Sequence, residues 1–167
     1  HKTSSAASDV YKRQNQNIAC SNQNLSCSVE CNGDYSCTSY HIDKSQSNIH
    51  CPTSNECDEC LITCHGDHSC YNSIINLHNC TKVKIWAHGS YSLANATIIT
   101  DSGSNIEYTG NLTIFGKPSD GDGTEYILSN LTINNGNIAN VTVHCYSSTP
   151  DINHECDNIK MINNYNA

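Results

Sequence analysis

The chain holds one Phe, one Met, one Trp and three Pro in 167 residues. So few large aromatics leave the packing to aliphatic side chains, and the seventeen Ile are β-branched residues suited to a pleated surface. Long apolar runs are missing too: none approaches the ~18 residues of a membrane-spanning helix, and no membrane insertion is expected. Positive charge is scarce, with 8 Lys plus Arg against 16 Asp plus Glu and a formal charge of −8. A chain this acidic, whose single arginine is Arg13, has no electrostatic footprint for nucleic acid or an anionic membrane, so neither is an expected partner. Its length is that of about one domain. In excess are asparagine, with twenty-three residues, and cysteine, with twelve.

Residues 4–14, Ser-Ser-Ala-Ala-Ser-Asp-Val-Tyr-Lys-Arg-Gln, back-translate to a string that resembles a common sequencing adapter along its whole length. Residues 1–14 are therefore expected to be non-native and are set aside from the fold. On that reading the native frame opens near Asn15 within a longer protein. Without Lys2, Lys12, Arg13 and Asp9 the chain keeps five Lys, no Arg and fifteen acidic residues, a formal charge of −10.

The cysteines are Cys20, Cys27, Cys31, Cys37, Cys51, Cys57, Cys60, Cys64, Cys70, Cys80, Cys145 and Cys156. That density in a short chain is the composition of a disulfide framework in an oxidising compartment, and the protein is expected to be secreted. Asn-x-Ser/Thr acceptors agree with this. They begin at Asn24, Asn79, Asn95, Asn111, Asn130 and Asn140, and four sit in near-copies of one phrase, such as Asn111-Leu-Thr-Ile and Asn130-Leu-Thr-Ile. Covalent N-glycans are the expected decoration. The alternative is that Asn and Thr simply suit the turns and edges of short strands.

The segment from Cys27 to Ile42 matches that from Cys60 to Ile75 at seven of sixteen positions, at an offset of 33. Asn48-Ile-His-Cys51 echoes Asn17-Ile-Ala-Cys20, and Val141-Thr-Val-His-Cys145 opens a third, degenerate copy. A recurring period of this size marks a solenoid or array. Inside each period lie short apolar alternations, including Val83-Lys-Ile-Trp86 and Leu112-Thr-Ile-Phe115, separated by Gly, Asn, Asp and Ser clusters. Nothing has helical period, so the fold is all-β. Three short strands in each turn of about 30 residues predict a parallel β-helix, a disulfide-stapled β-solenoid; a β-sandwich is the alternative. The expected organisation is Cys-rich repeats over 15–80, Cys-free β-solenoid turns over 81–144, and the start of a truncated further Cys repeat over 145–167. Two pairing schemes stay open. Equivalent cysteines on successive turns, such as Cys31 with Cys64 or Cys37 with Cys70, fall within disulfide reach, and so does pairing inside one turn, such as Cys31 with Cys37.

Tandem Cys-x-Gly-Asp-x-Ser-Cys modules with intervening Ile-x-Cys phrases resemble the cysteine-rich repeats of large surface proteins of protists. The resemblance covers residues 18–80 well and 141–162 loosely. It implies an extracellular, β-solenoid repeat protein, and no catalytic residue carries over.

Cys57-x2-Cys60-x3-Cys64-His65, with Asp67, His68 and Cys70, has soft ligands at zinc-like spacing, but a second Cys-x2-Cys knuckle is missing, and disulfides are the better reading. Asp120, Asp122 and Glu125 in a glycine-rich loop form a weak calcium candidate without EF-hand spacing; no other cofactor is expected. Asp34 and Asp67 are expected to serve turn geometry. No catalytic residue stands out: the carboxylate pair that glycoside hydrolysis requires is missing, and the protein is not expected to be an enzyme. The aromatics recur at no fixed offset, so no sugar-stacking stripe is expected. The function these features imply is structural: a building block of a filament, coat or surface appendage, with itself and neighbouring repeats as partners through end-to-end stacking, no capping helix or Pro-rich cap being evident. A cell-surface adhesin or glycan-binding module, with calcium, is the alternative, and a polysaccharide-active enzyme comes third.

Overall fold

The structure, a computed structural model, describes residues 17–19, 21–23, 26–38, 48–50, 59–77, 82–100, 110–118, 126–135, 140–146 and 156–163. Residues 1–14, and with them the adapter expectation, lie outside that set. Among the described residues there is no helix and there are twelve strands: β1 (Asn17–Ala19), β2 (Ser21–Gln23), β3 (Ser26–Asn32), β4 (Asn48–His50), β5 (Glu59–His65), β6 (Ile74–Asn76), β7 (Lys82–His88), β8 (Thr97–Ile99), β9 (Asn111–Lys117), β10 (Thr132–Asn135), β11 (Asn140–Cys145) and β12 (Lys160–Asn163).

They form two six-stranded sheets, a short-strand sheet in the order β1-β4-β6-β8-β10-β12 and a long-strand sheet in the order β11-β9-β7-β5-β3-β2. From β3 onward the chain visits the sheets alternately, and each return lays a parallel strand beside the previous one. The exception is β2, which pairs antiparallel with β3. The expected all-β class is what the structure has, with parallel pairing throughout the repeats.

The strands form where the apolar alternation has period two. β7 buries Val83, Ile85 and Ala87 and exposes Lys82, Lys84 and Trp86; β5 buries Cys60, Ile62 and Cys64; β9 buries Leu112, Ile114 and Gly116. Parallel register stacks these into columns, Val29-Ile62-Ile85-Ile114-Val143 being the central one. Ile75, Ile98 and Ile133 from the short-strand sheet join the same buried cluster. Each buried Ile contributes about 1.5–3 kcal/mol relative to exposure. The repeat is closed by packing on its neighbours.

The described residues supply two strands per repeat; the third that was expected is not among them, and 39–47, 51–58, 78–81, 101–109 and 119–125 lie outside the described residues. The segment after each long strand is a turn in which alternate residues take positive φ: His68, Cys70 and Asn72 in one repeat, Tyr91, Leu93 and Asn95 in the next. Such residues curl the backbone out of the extended conformation that a third strand needs. The period is also uneven. Successive long strands start at Ser26, Glu59, Lys82, Asn111 and Asn140, offsets of 33, 23, 29 and 29 residues. Hydrogen-bond register is kept while turn and loop lengths vary. The 80/81 boundary is no break in the sheet, because β5 pairs with β7 along all seven residues.

Candidate functional site: disulfide column, stacked rings and glycan acceptors

The turn begins on glycine. Gly33, Gly66 and Gly89 have φ of 102°, 126° and 115°, and a Cβ on Gly66 would lie 2.5 Å from the carbonyl carbon of Gly33. Positive φ and backbone-on-backbone contact both demand glycine here. The aspartates that follow reach along the stack. Asp34 Oδ1 accepts from the Asp67 amide (3.0 Å), and Asp67 Oδ1 accepts from the Ser90 amide (3.1 Å). Their expected role in the turn takes this form: each carboxylate caps an amide of the next repeat.

Most of the left-handed residues beyond share one property. The amides of His68, Cys70, Asn72, Leu93, Asn95, Leu128 and Asn130 all donate to carbonyls of an adjacent repeat, at 2.7–3.1 Å. The residues between them fold back within the turn, as when the Ser69 amide donates to Gly66 and that of Tyr71 to His68. A non-glycine residue at positive φ costs about 1–3 kcal/mol, and these inter-repeat bonds offset that cost. Buried serines bind the turn to the strands: Ser69 Oγ donates to the Cys31 carbonyl (2.8 Å) and Ser92 Oγ to that of Cys64 (2.9 Å).

Disulfides close the turn onto its own strand. Cys31 pairs with Cys37 and Cys64 with Cys70, at Cα separations of 5.7 and 5.8 Å. At these four cysteines pairing is within a repeat, and the turn-to-turn alternative of Cys31 with Cys64 and Cys37 with Cys70 is not adopted. Cys145 pairs with Cys156. Register places this pair in the same column: Cys31, Cys64, Ala87, Gly116 and Cys145 follow one another in the long-strand sheet. The turn ladder and the pairing of Thr132 with Lys160 align Cys37, Cys70, Leu93, Leu128 and Cys156. One position therefore holds a disulfide in three repeats and an Ala–Leu or Gly–Leu contact in the two between. Cys60 is disulfide-bonded as well. Cys20, Cys51, Cys57 and Cys80 lie outside the described residues, and Cys27 is placed by its backbone alone.

Sequence reasoning missed this longer alignment. Its signal is present in Tyr35-Ser-Cys-Thr-Ser39, His68-Ser-Cys-Tyr-Asn72, Tyr91-Ser-Leu-Ala-Asn95 and Tyr126-Ile-Leu-Ser-Asn130. It becomes visible once Leu is accepted as the equivalent of Cys.

The aromatic residues also align, contrary to expectation, because register rather than sequence offset sets the stacking. Tyr35, His68, Tyr91 and Tyr126 stack with centroid spacings of 4.8, 4.8 and 5.1 Å. On the long-strand sheet, Trp86, Phe115 and His144 stack at 4.2 and 5.0 Å. The inner rings, His68, Tyr91 and Phe115, have neighbouring rings on both faces, whereas the end rings Tyr35 and Trp86 are exposed. A sugar-binding platform requires free faces.

The glycan acceptors fall into two pairs of neighbours. Asn111 and Asn140 are exposed register partners at the starts of β9 and β11, and Asn140 Nδ2 donates to Asn111 Oδ1 (3.1 Å). Asn95 and Asn130 are exposed on adjacent turns, and Asn95 Nδ2 donates to Tyr71 Oη (2.7 Å). Asn24 and Asn79 lie outside the described residues, as do the calcium candidates Asp120, Asp122 and Glu125. The zinc-like cluster is not a thiolate site: Cys60, Cys64 and Cys70 are in disulfides, His65 packs against His88 and His68 sits between Tyr35 and Tyr91.

No protein-family model, no curated protein and no solved structure matches the chain. The disulfides accord with an oxidising environment. Among the described residues no helix is long and apolar enough to cross a membrane.

Proposed function

We propose that this chain is a segment of an extracellular structural glycoprotein, a parallel β-helix that serves as a building block of a filament, coat or surface appendage. The observation that carries the reading is the single column holding a disulfide in three of five repeats, inside a ladder whose strands and turns both bond to their neighbours. Such an arrangement suits resistance to proteolysis and load, since three of the repeats are fixed internally by a covalent bond and all are fixed externally by their neighbours. The cysteine-rich surface repeats of protists, which the Cys-x-Gly-Asp-x-Ser-Cys modules resemble, are a natural context for it.

Axial stacking is the proposed mode of assembly. Open strand edges template further strands. The edge formed by β11 and β12 leaves Tyr146, Met161 and Ile162 exposed at 47–49%, apolar surface that a further coil, from this chain or a second copy, would cover. At the opposite end the edge strands are β1 in the short-strand sheet and β2, antiparallel to β3, in the long-strand sheet, so axial joining would bring the β11/β12 edge of one copy to the β1/β2 edge of the next. The adhesin reading is the weaker one, because the inner rings His68, Tyr91 and Phe115 are covered on both faces by their neighbours.

The test is electron microscopy of the chain secreted from a eukaryotic cell, over a concentration series. Ordered filaments or axial oligomers with a repeat of about 4.8 Å between strands are expected. Discrete particles at every concentration would overturn axial assembly, and glycan-array binding by those particles would favour the adhesin.

A further inference from the structure

The two sequon pairs differ in why asparagine is there. Asn95 and Asn130 have φ of 55° and 54°, and the equivalent residues of the neighbouring repeats are Asn72 (57°) and Asn158 (59°). Neither Asn72 nor Asn158 begins an Asn-x-Ser/Thr triplet, yet both are asparagine. The left-handed backbone accounts for all four, since asparagine is among the few side chains that populate it readily. A sequon at 95 and 130 is what results when threonine follows a residue the turn already requires.

Asn111 and Asn140 stand in a different column. Its members are Ser26, Glu59, Lys82, Asn111 and Asn140, all extended, so the backbone makes no demand for asparagine. The position two residues on holds Ser28, Leu61, Lys84, Thr113 and Thr142 and is equally unconstrained. Both members of the triplet are free choices there, made identically on two successive strands. The one contact between the asparagines is an exposed amide–amide bond of 3.1 Å.

Resting on the reading of the chain as a secreted glycoprotein, we infer that Asn111 and Asn140 are its paired glycan carriers, whereas Asn95 and Asn130 are backbone residues of the turn. The reaction is transfer of an oligosaccharide from a polyprenyl-pyrophosphate donor. A bond forms between the anomeric carbon and Nδ2, the anomeric C–O bond to the pyrophosphate breaks, the lipid pyrophosphate leaves, and one amide proton passes to a base of the transferase. Each modified Nδ2 keeps one hydrogen, so Asn140 can still donate to Asn111 Oδ1. The two glycans would then stand one strand spacing apart, about 4.8 Å. They continue a column whose preceding members, Glu59 and Lys82, are charged.

The chain is secreted from a eukaryotic cell and its glycans are released enzymatically in heavy-oxygen water, which marks each formerly modified Asn as labelled Asp. Label concentrated at 111 and 140 is the expected result. Label at 95 and 130 equal to or above that at 111 and 140 overturns the assignment while leaving the glycoprotein reading standing. No label at any sequon of the secreted, disulfide-bonded chain overturns both. Melting temperatures of the deglycosylated variants give a second readout. Asn111→Gln and Asn140→Gln should melt close to the parent, Asn95→Gln lower, and Asn95→Gly close to the parent again. Equal losses for Asn111→Gln and Asn95→Gln would overturn the division between the pairs.

Discussion

The repeats built on β3 and β5 and those built on β7 and β9 solve the same packing problem with different chemistry. In the first two the strand and its turn are joined by Cys31–Cys37 and Cys64–Cys70; in the next two the same places hold Ala87 with Leu93 and Gly116 with Leu128. Leu93 and Leu128 are fully buried, and a Cβ on Gly116 would lie 2.9 Å from Leu128 Cδ1. One large aliphatic side chain opposite a small residue occupies the space that two sulfur atoms fill elsewhere. The fold therefore does not depend on cross-linking at this position. The crosslink adds stability to a turn that packing alone can form, and Cys145–Cys156 returns to it in the fifth repeat.

The sharpest way to break the comparison is through the Cys-free core. Ile114→Ala should cost about 2–5 kcal/mol, and hydrogen exchange should show protection lost around β9 and β10 before β5 and β6. The same change at Ile62, beside Cys60 and Cys64, should cost a similar amount at equilibrium but open a smaller region, because the staple holds the turn. If both variants open the same region, the two halves form one cooperative unit.

Next is the contrast between glycines. Gly66→Ala places a methyl group against the Gly33 backbone at positive φ and should destabilise by about 1–3 kcal/mol or more, seen as lost secretion or a lower midpoint in denaturant. Gly116→Ala meets only side chains, so the overpacking cost of about 1–3 kcal/mol should be relieved by a second change, Leu128→Val. Failure of that double variant to recover would mean that Gly116 serves the backbone.

Moving a staple tests the equivalence directly. Ala87→Cys with Leu93→Cys should form a disulfide, detected by mass after alkylation. A loop this short gains about 2 kcal/mol from chain entropy, partly offset by the loss of the buried Leu. Two free thiols in an otherwise native chain would refute the shared column. The smallest effect is expected at the exposed pair of Lys84 and Glu59, 2.9 Å apart. Glu59→Gln should change stability by less than about 1 kcal/mol, and less still in high salt.

How much of this was legible in the sequence depended on where the chain keeps constant length. Cys27–Cys37 and Cys60–Cys70 differ by substitutions alone, so their likeness could be read directly; beyond them the offset changes, and Ile75 pairs with Ile49 where the sequence match had set it against Ile42. The equivalence of Cys156 with Cys37 and Cys70 could not be read so, because the sequence separation of the paired cysteines grows from 6 for Cys64 and Cys70 to 11 for Cys145 and Cys156. The alternation in β5, β7 and β9 announced strands. That the segment after β7 is a turn was not legible, because left-handed conformation at Leu93 leaves no mark in composition; its amide bonds to the Ser69 carbonyl of the neighbouring repeat, and such bonds offset the cost. At Asn95 and Asn130 the sequon was readable and its backbone cause was not.

The glycine column has a mechanical meaning. Where Gly66 rests on Gly33 and Gly89 on Gly66, there is no room for a methyl group between successive backbones. That flank is already at its closest approach and acts as an incompressible spine. Under lateral load such a stack should resist shortening along the glycine line and pivot on it.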